Sequence, residues 1–274
     1  MYILAIETTG AFASVALAEA ANKRVSANER GFFKVLASVQ GNDRFSHLQN
    51  LTPQIEEVVR QAGITMKDLD FIAVSKGPGS FTGIRIGVAT ARALAQVLGI
   101  RCVGISSLEG LALEFSKTAK ISSDPDWEHT LICPMLDARR NQVYAGGYII
   151  RPEMDEDGPT GRMVPQEVIA AGPYLAEDFV AMAESYVEVS SMTKEYTKTY
   201  CDRVAFTGEE IKGFAETETG RRILMLTCQQ NADTIAEIGF AKIKVGKSVE
   251  YEELKPDYMR MAEAERKRLE AAQK

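Results

Sequence analysis

The sequence contains few of the residues on which catalytic and metal centres depend. Its 274 residues include only two histidines, His47 and His129, which lie far apart and form neither an H-x-x-x-H nor an H-E-x-x-H pattern. Zinc hydrolases commonly bind their metal through histidine pairs of this kind. A metal site is therefore not expected. A serine–histidine–aspartate triad is not expected either, because the chain has no G-x-S-x-G segment.

The cysteines and the apolar residues argue against two further classes of protein. The four cysteines form no C-x-x-C pair and are predicted to be reduced, mostly buried thiols; they are Cys102, Cys133, Cys201 and Cys228. No apolar run approaches the roughly twenty residues of a membrane span, and the start MYILAIETTG lacks a basic stretch and a cleavage site. We therefore expect a cytoplasmic protein with no membrane partner.

The chain has no excess of positive charge, since 32 Lys and Arg residues stand against 38 Asp and Glu residues. The formal net charge is −6 and the pI is near 5.2, which argues against a protein that binds nucleic acid alone through a broad basic surface. Membership of a nucleic-acid-modifying complex stays open, because the basic surface can belong to another subunit. Hydrophobic residues at 45% and charged residues at 26% are ordinary for a globular chain of one or two domains.

The most distinctive stretch is glycine-rich and runs from Ser75 to Gly87 (SKGPGSFTGIRIG). A buried strand is predicted before it, over Asp70 to Ser75, and an apolar helix after it. A strand, a glycine-rich turn and a helix can direct backbone N–H groups at an anion. The spacing fits neither a Walker A loop nor a dinucleotide fingerprint. A tight turn that binds nothing is the alternative interpretation.

The helix after this turn carries a ridge with almost no side-chain volume. Gly83, Gly87, Ala91 and Ala95 recur every four residues. Such a ridge allows close approach of another element, since four-residue ridges pack into matching grooves. Both tight packing within one domain and a contact between subunits are compatible with it.

Two further turns carry polar side chains suited to phosphate. A predicted hairpin of Tyr2 to Ile6 and Ala13 to Ala18 encloses the turn Glu7 to Gly10, and a second hairpin has its tip at Asp137 to Asn141. A carboxylate with neighbouring guanidinium groups, as at Asp137, can organise a phosphate or its magnesium. An ordinary turn with surface ion pairs is an equal alternative.

The remaining predicted helices are assigned from apolar spacing. One begins either at Ser46, with a kink at Pro53, or at Pro53 itself. The others are two short helices, Pro165 to Ala171 and Ala176 to Met182, a longer one at Asn231 to Gly246, and a charged C-terminal helix at Met259 to Lys274. Ser185 to Cys201 has no clear assignment. No internal sequence repeat is visible, although a hairpin followed by strands and helices occurs once in each half.

Several of these segments together resemble a known family. They are GPGSFTGIRIG (77–87), GISSLEGLA (104–112), MLDARRNQVYAG (135–146) and LKPDYMR (254–260). They are similar to the bacterial TsaB family of tRNA threonylcarbamoyladenosine biosynthesis proteins, collinearly from Tyr2 to about Leu113 and again from Met135 to Tyr148. The pattern GPGSFTG-x-R-x-G is far more specific than a generic glycine loop.

The resemblance implies an α/β, actin-like (sugar kinase/Hsp70) fold of two ribonuclease-H-like subdomains. We expect an N-terminal subdomain at 1–113, a C-terminal subdomain with an insertion at 114–250, and a C-terminal segment and helix at 251–274. It also implies a non-catalytic subunit that pairs with a TsaD-type transferase, which carries the metal, and that is joined by a TsaE-type ATPase. A homodimer is expected when the chain is alone, and tRNA contact only through the complex.

The residue patterns and the resemblance together supply candidate sites. Family pairing through the first two helices implies a partner interface formed by Leu48, Leu51, Ile55, Gly83, Gly87, Val88, Ala91 and Ala95. Candidate nucleotide or phosphate-loop residues are Glu7, Thr8, Thr9, Gly77, Gly79, Ser80, Thr82, Asp137 and Arg139. No tightly bound cofactor is expected, with ATP and magnesium only at a complex interface.

Three departures from the family pattern stand out. Glu7 stands where an Asp is usual, which weakens the case for phosphate binding at the first loop. The segment SHLQN (46–50) differs from the commoner His-Ser-Glu pattern, and the stretch Ile150 to Cys201 is longer than expected. Rival functions also stay open. One rival is a self-sufficient ATPase or phosphotransferase that holds magnesium-nucleotide through Glu7 and Asp137. A weaker rival is a metallopeptidase, which the shortage of histidine opposes.

Overall fold

The computed structural model describes residues 1–21, 32–42, 47–118, 129–155, 158–194, 200–209 and 211–259. Within them lie two five-stranded sheets with helices packed against them, as expected for a two-subdomain α/β chain. The helices are α1 His47–Ala62, α2 Phe81–Leu98, α3 Ser107–Thr118, α4 Ala176–Ser191, α5 Glu218–Arg222 and α6 Ala232–Lys244.

The first sheet has the strand order β3-β2-β1-β4-β5. Its strands are β1 Tyr2–Glu7, β2 Ser14–Ala20, β3 Phe33–Gln40, β4 Leu69–Gly77 and β5 Arg101–Ser106. β1 and β2 form the predicted antiparallel hairpin, while β4 runs parallel to both β1 and β5. The side chains of β1 are buried on both faces, because helices cover both sides of the sheet.

One face of this sheet is covered by α1 and α2. Leu51, Val58 and Val88 join the inward side chains of β1, β2 and β4 in one apolar cluster. α1 runs through Pro53, so the earlier of its two predicted starts is closer to the observed one. α2 begins at the Ser80 cap, whose hydroxyl accepts a hydrogen bond from Gly83 N, and ends at a left-handed glycine.

The second sheet repeats the topology of the first. Its strands are β6 Thr130–Asp137, β7 Gln142–Asp155, β8 Gly158–Leu175, β9 Arg203–Gly208 and β10 Met225–Thr227. Their order is β10-β9-β6-β7-β8, with the antiparallel hairpin on one side of β6 and the parallel strands on the other. Each sheet thus has the ribonuclease-H-like order, and the duplicated architecture is confirmed although the sequence shows no repeat.

Two helices pack against the sheet of the other half of the chain. α3 follows the first sheet, but its apolar side packs on the second sheet through Leu108 and Phe115. α6 follows the second sheet, but Ile235 and Phe240 lie in the core on the free face of the first sheet. Thus α3, which spans the expected boundary at 113, packs on the second sheet, and α6, which precedes the expected boundary at 250, packs on the first.

The stretch Ile150 to Cys201 differs most from expectation. The predicted short helix at Pro165 to Ala171 is wrong, since these residues form part of β8 and pair antiparallel with β7. Prolines are tolerated there because β8 is an edge strand. The predicted helix at Ala176 is confirmed, and it continues to Ser191 through residues left without an assignment. The extra length is thus a long β7–β8 ribbon and a longer α4.

The far end of this ribbon contacts the first subdomain. Glu153 and Arg162 pair across the ribbon, and Lys244 of α6 lies 3.6 Å from the same carboxylate. The Arg162 guanidinium also lies over the ring of Phe240, 4.5 Å from its centroid. A charged cluster on the ribbon therefore joins the second sheet to the helix layer of the first.

The chain then crosses the edge of the first sheet and the end of β4. Val249 forms an antiparallel bridge with Cys102 of β5, and Leu254 is buried in the first core. Asp257 N donates to the carbonyl of Lys76 at 2.7 Å. Beyond Met259 the predicted C-terminal helix lies outside the described residues. No helix in the described part of the chain is long and apolar enough to cross a membrane.

Candidate functional site: an intersubdomain cleft and the outer face of a helix

The turn after β1 is stabilised by hydrogen bonds within the chain. Glu7 is fully buried, and its Oε1 accepts hydrogen bonds from the backbone N and the hydroxyl of Thr9. Burial raises the pKa of the Glu7 carboxyl, and the hydrogen bonds from Thr9 and Ser75 lower it only in part. The carboxylate thus organises its own turn rather than facing solvent.

The glycine-rich turn packs directly on this first turn. A Cβ on Gly83 would lie 1.8 Å from the carbonyl oxygen of Thr8, and one on Gly87 would lie 2.3 Å from Thr8 Oγ1. The Thr8 hydroxyl donates to the carbonyl of Gly83 at 2.7 Å. Two glycines of the ridge are therefore required for close packing inside one subdomain.

The start of α2 is likewise held by close glycine packing and hydrogen bonds. Gly79 has a φ of 148°, and its α-carbon hydrogens face the carbonyl oxygen of Thr9, which a Cβ would approach to 2.5 Å. Ser80 N donates to that same carbonyl at 2.8 Å. Gly77 is buried against the carbonyl of Asp257. The turn is thus enclosed on one side by the first hairpin and on the other by the C-terminal segment.

The tip between β6 and β7 holds an unusual backbone. Arg139, Arg140 and Asn141 have φ values of 66°, 57° and 60°, in the left-handed region that side chains rarely adopt. Asp137 accepts a hydrogen bond from Arg139 N at 2.7 Å and pairs with its guanidinium at 3.5 Å. Asp137 therefore supports the tip, and strain of this kind often accompanies functional loops.

These turns meet in a cleft of about 640 Å³ between the two sheets. Its lining includes Thr9, Gly10, Ala11, Gly79, Ser80, Phe81, Leu136, Asp137, Ala138, Arg139, Tyr144, Glu209, Lys212 and Gln230. Five predicted phosphate-loop residues are brought together there, namely Thr9, Gly79, Ser80, Asp137 and Arg139. The other four, Glu7, Thr8, Gly77 and Thr82, do not line it.

The cleft also contains residues that the sequence did not single out. Gln230 is 5% exposed and, within the described chain, its Nε2 has no hydrogen-bond partner. Lys212 and Glu209 add one charge of each sign to those of Arg139 and Asp137. No local motif marks Gln230, because its position depends on contact with Gly10 at the other end of the chain.

This geometry bears on the rival in which the chain holds magnesium-nucleotide by itself. That rival uses Glu7 and Asp137 together, but only Asp137 reaches the cleft, while Glu7 is buried beneath the first turn. No group of three potential ligands gathers at one point in the described residues. His129 stacks on Tyr200, and its Nδ1 lies 3.1 Å from the Tyr200 carbonyl.

The residues expected at a partner interface are found in the core of the chain itself. Leu51, Ile55, Val88, Ala91 and Ala95 are at most 5% exposed, and all pack in the first core cluster. Gly83 and Gly87 are buried as well. The ridge faces β1 and β4, so assigning these side chains to an exposed interface is wrong for this conformation. Leu48 lies in α1, but its side chain is outside the described part.

The opposite face of α2 is exposed, and its middle, at Ala89 and Ala93, carries little side-chain volume. Arg85, Ala89, Ala93 and Val97 recur every four residues along it, and Val97 is 84% exposed. α2 contains no acidic residue. The exposed face of α2 is thus formed by side chains next to those predicted. All four cysteines are buried and free, as expected.

Comparison with known sequences identifies relatives of this chain. Residues 35–264 match the family model described as TsaD: tRNA N6-adenosine threonylcarbamoyltransferase. The Bacillus subtilis tRNA threonylcarbamoyladenosine biosynthesis protein TsaB is 30% identical over 229 residues, which cover 82% of this chain and 85% of that protein. TsaB of Escherichia coli is 30% identical over 115 residues, or 41% of this chain and 43% of that protein.

Comparison with solved structures supports the fold. A Pseudomonas aeruginosa protein described as uncharacterized, with similarity to peptidase YEAZ, superposes with a TM-score of 0.64 and 20% identity over 94% of this chain and 99% of that one. YeaZ from the same organism gives a TM-score of 0.59 with 21% identity over 94% and 100% of the two chains. The architecture is thus shared over nearly the whole length.

Proposed function

This chain belongs to the TsaB family of tRNA threonylcarbamoyladenosine biosynthesis proteins, and on that premise we propose that it is a non-catalytic subunit that binds and activates a TsaD-type transferase. Its role is to present α1 and α2 as a docking layer. The chain contacts tRNA only through the assembled complex, which a TsaE-type ATPase joins, and it forms a homodimer when the partner is absent.

The observation that carries this proposal is the outward face of α2. Ala89 and Ala93 present almost no side-chain volume at four-residue spacing, which allows a helix of a partner to approach closely. Next to them, Val97 is an exposed apolar side chain, and its burial against a partner would lower the free energy of association. The inward ridge supports this layer by seating α2 tightly on the sheet.

The burial of Glu7 favours the non-catalytic role over a self-sufficient ATPase. A magnesium-nucleotide site needs carboxylate oxygens that reach the metal or its water shell. Glu7 is enclosed by its own turn, and burial favours its neutral form over the anion that a cation would need. The peptidase rival has no comparable support among the residues of the site. It would be tested directly by measuring whether the pure chain hydrolyses peptide substrates.

The test is light scattering after size exclusion, with this chain alone and mixed with the TsaD-type subunit of the same organism. We expect a heterodimer peak for the wild type that Ala93→Arg abolishes, because a long charged side chain prevents close helix contact. Met182→Arg is the matched control, since Met182 is exposed on α4 of the second subdomain. The proposal would be overturned if the chain formed no complex with the subunit and hydrolysed ATP by itself.

A second candidate function is nucleotide binding in the cleft within the complex. It is favoured by the Gln230 amide, a buried donor without a partner in the described chain, in a cleft that Thr9 and Ser80 also line. Calorimetry with ATP and magnesium on the pure chain and on the complex distinguishes the cases. Binding only to the complex, weakened by Gln230→Leu, supports it, and binding unaffected by this substitution excludes the cleft.

A further inference from the structure

An aromatic and guanidinium stack stands at the N-terminal end of the exposed face of α2. The Arg85 guanidinium lies 4.1 Å from the centroid of the Phe81 ring and 5.9 Å from that of Tyr258. The two rings contact each other with centroids 4.7 Å apart. Arg85 Nε donates to the Tyr258 hydroxyl at 3.2 Å. Two rings from distant parts of the chain thus fix one arginine.

The stack is held from behind by the C-terminal segment. Asp257 is fastened to Lys76 by a backbone hydrogen bond of 2.7 Å and an ion pair of 3.8 Å, and Leu254 is buried in the core beneath. Tyr258 follows directly, so its ring has little freedom to leave Phe81. An arginine held in this way loses less side-chain entropy on binding than a free one.

The charge of Arg85 is not balanced by a described neighbour. Its polar partner among the described residues is the Tyr258 hydroxyl, which is neutral and bonds Nε, and Arg85 as a residue is exposed. α2 contains Arg85 and Arg92 and no acidic residue, within a chain whose net charge is −6. The planar guanidinium of Arg85 keeps Nη1 and Nη2 outside the hydrogen bond to Tyr258, and such a group matches a carboxylate through two parallel hydrogen bonds.

Resting on the proposed function, we propose that Arg85 is the charged anchor of the α2 docking face and receives an Asp or Glu side chain from a helix of the TsaD-type partner. The partner helix lies along Ala89 and Ala93, whose small size admits it, and its carboxylate pairs with Arg85 at one end. Phe81 and Tyr258 orient the guanidinium, and Phe81 also lines the cleft, so the anchor adjoins the candidate site.

The arrangement has the features of an interface hot spot. Arginine and tyrosine are enriched among residues whose truncation costs about 2 kcal/mol or more, and pre-organised groups bind with a smaller entropic cost. At about 1.4 kcal/mol per tenfold change, this corresponds to an affinity loss of about 30-fold for Arg85→Ala. Arg85→Lys should lose less, because it keeps the charge but not the planar pair of donors.

The experiment measures affinity by biolayer interferometry between the full-length chain and the TsaD-type subunit of the same organism. Arg85→Ala is expected to bind about 30-fold more weakly and Arg85→Glu more weakly still. Tyr258→Phe keeps the ring but removes the hydroxyl, and a loss of only a few fold is expected. Arg221→Glu is the matched control, since it makes the same charge change on exposed α5.

Salt dependence supplies a readout that a merely structural role would not move. Wild-type affinity should fall as ionic strength rises, and the slope should be shallower for Arg85→Ala, because a charged pair has been removed. Circular dichroism checks that each variant is folded. Equal salt slopes for wild type and Arg85→Ala would overturn the carboxylate as the occupant.

The outcomes separate this inference from the function on which it rests. If the wild type binds the subunit and Arg85→Glu binds equally well, the anchor is wrong and the scaffold role stands. If Arg85→Glu alters only the homodimer of the chain alone, a second copy occupies the anchor and the inference is overturned. If the wild type does not bind the subunit at all, both fail.

Discussion

Arg162 lies over the ring of Phe240 at 4.5 Å and joins a ribbon of the second subdomain to a helix of the first. The same guanidinium pairs with Glu153, which also lies 3.6 Å from Lys244. The side chains of Glu153 and Arg162 are each 11% exposed. This ion cluster thus lies at the junction of the two subdomains, away from bulk water.

We predict that Glu153→Gln lowers the free energy of unfolding by about 2–3 kcal/mol, because removing one partner leaves buried cationic groups without compensation. Chemical denaturation in urea measures the change. The matched control is Glu184→Gln, which breaks the forked but exposed pair with Arg222 and should have a much smaller effect. Equal effects of the two substitutions would show that the ion pair on the ribbon contributes no more to stability than an exposed ion pair does.

The buried carboxyl of Glu7 predicts a pH dependence of stability. Its pKa in the folded state is raised above the usual 4.5, chiefly by desolvation. The native state therefore binds this proton more tightly than the unfolded state does. The corresponding stability is complete below the unfolded pKa and is lost as pH rises through the folded one.

Glu7→Gln mimics the neutral carboxyl, and its amide oxygen can still accept from Thr9. The difference in unfolding free energy between wild type and variant should therefore shift in favour of the variant as pH rises above the usual carboxyl pKa of 4.5. Denaturation of both proteins across this range measures it, and subtraction cancels the groups they share. A difference that is flat, or that shifts toward the wild type, contradicts a raised pKa.

Gly83 sits where helix propensity and packing oppose each other. Alanine in a helix interior is favoured over glycine by about 1 kcal/mol. A Cβ at Gly83, however, would lie 1.8 Å from the Thr8 carbonyl, so the turn or the helix must move. We expect the steric cost to win and Gly83→Ala to destabilise the chain by about 1–3 kcal/mol.

Gly63→Ala provides the comparison for Gly83→Ala. Gly63 has a φ of 71°, and a Cβ added there would meet nothing within 4 Å, so only the cost of the left-handed backbone applies, about 1 kcal/mol. Thermal melts of the two variants separate packing from backbone strain. If Gly83→Ala is as stable as the wild type, the close packing of the two turns is not needed for the stability of the fold.

The sequence allowed the position of the glycine turn and both hairpins to be predicted, because these depend on local residue order. It did not decide which way the ridge of Ala91 faces, since small residues at four-residue spacing favour close packing on a sheet as much as on another helix. The local residue pattern of Pro165 to Ala171 favoured a helix, but these residues belong to β8, and pairing with β7 determines their conformation. Gln230 joins the cleft only through tertiary contact with Gly10.

The two sides of α2 lead to the last prediction, a comparison of Ala91→Arg with Ala93→Arg. Ala91 is 0% exposed and packs in the first core, whereas Ala93 is exposed. An arginine at Ala91 must bury an unpaired charge or displace the helix, and a loss of cooperative folding is expected. The same side chain at Ala93 reaches water, so this variant should melt like the wild type and fail only in pairing with the TsaD-type subunit. Calorimetric melting of each variant, followed by size exclusion with the subunit, checks both halves. If Ala91→Arg instead melts like the wild type and loses only the pairing, the ridge faces a partner in solution and α2 is turned the other way.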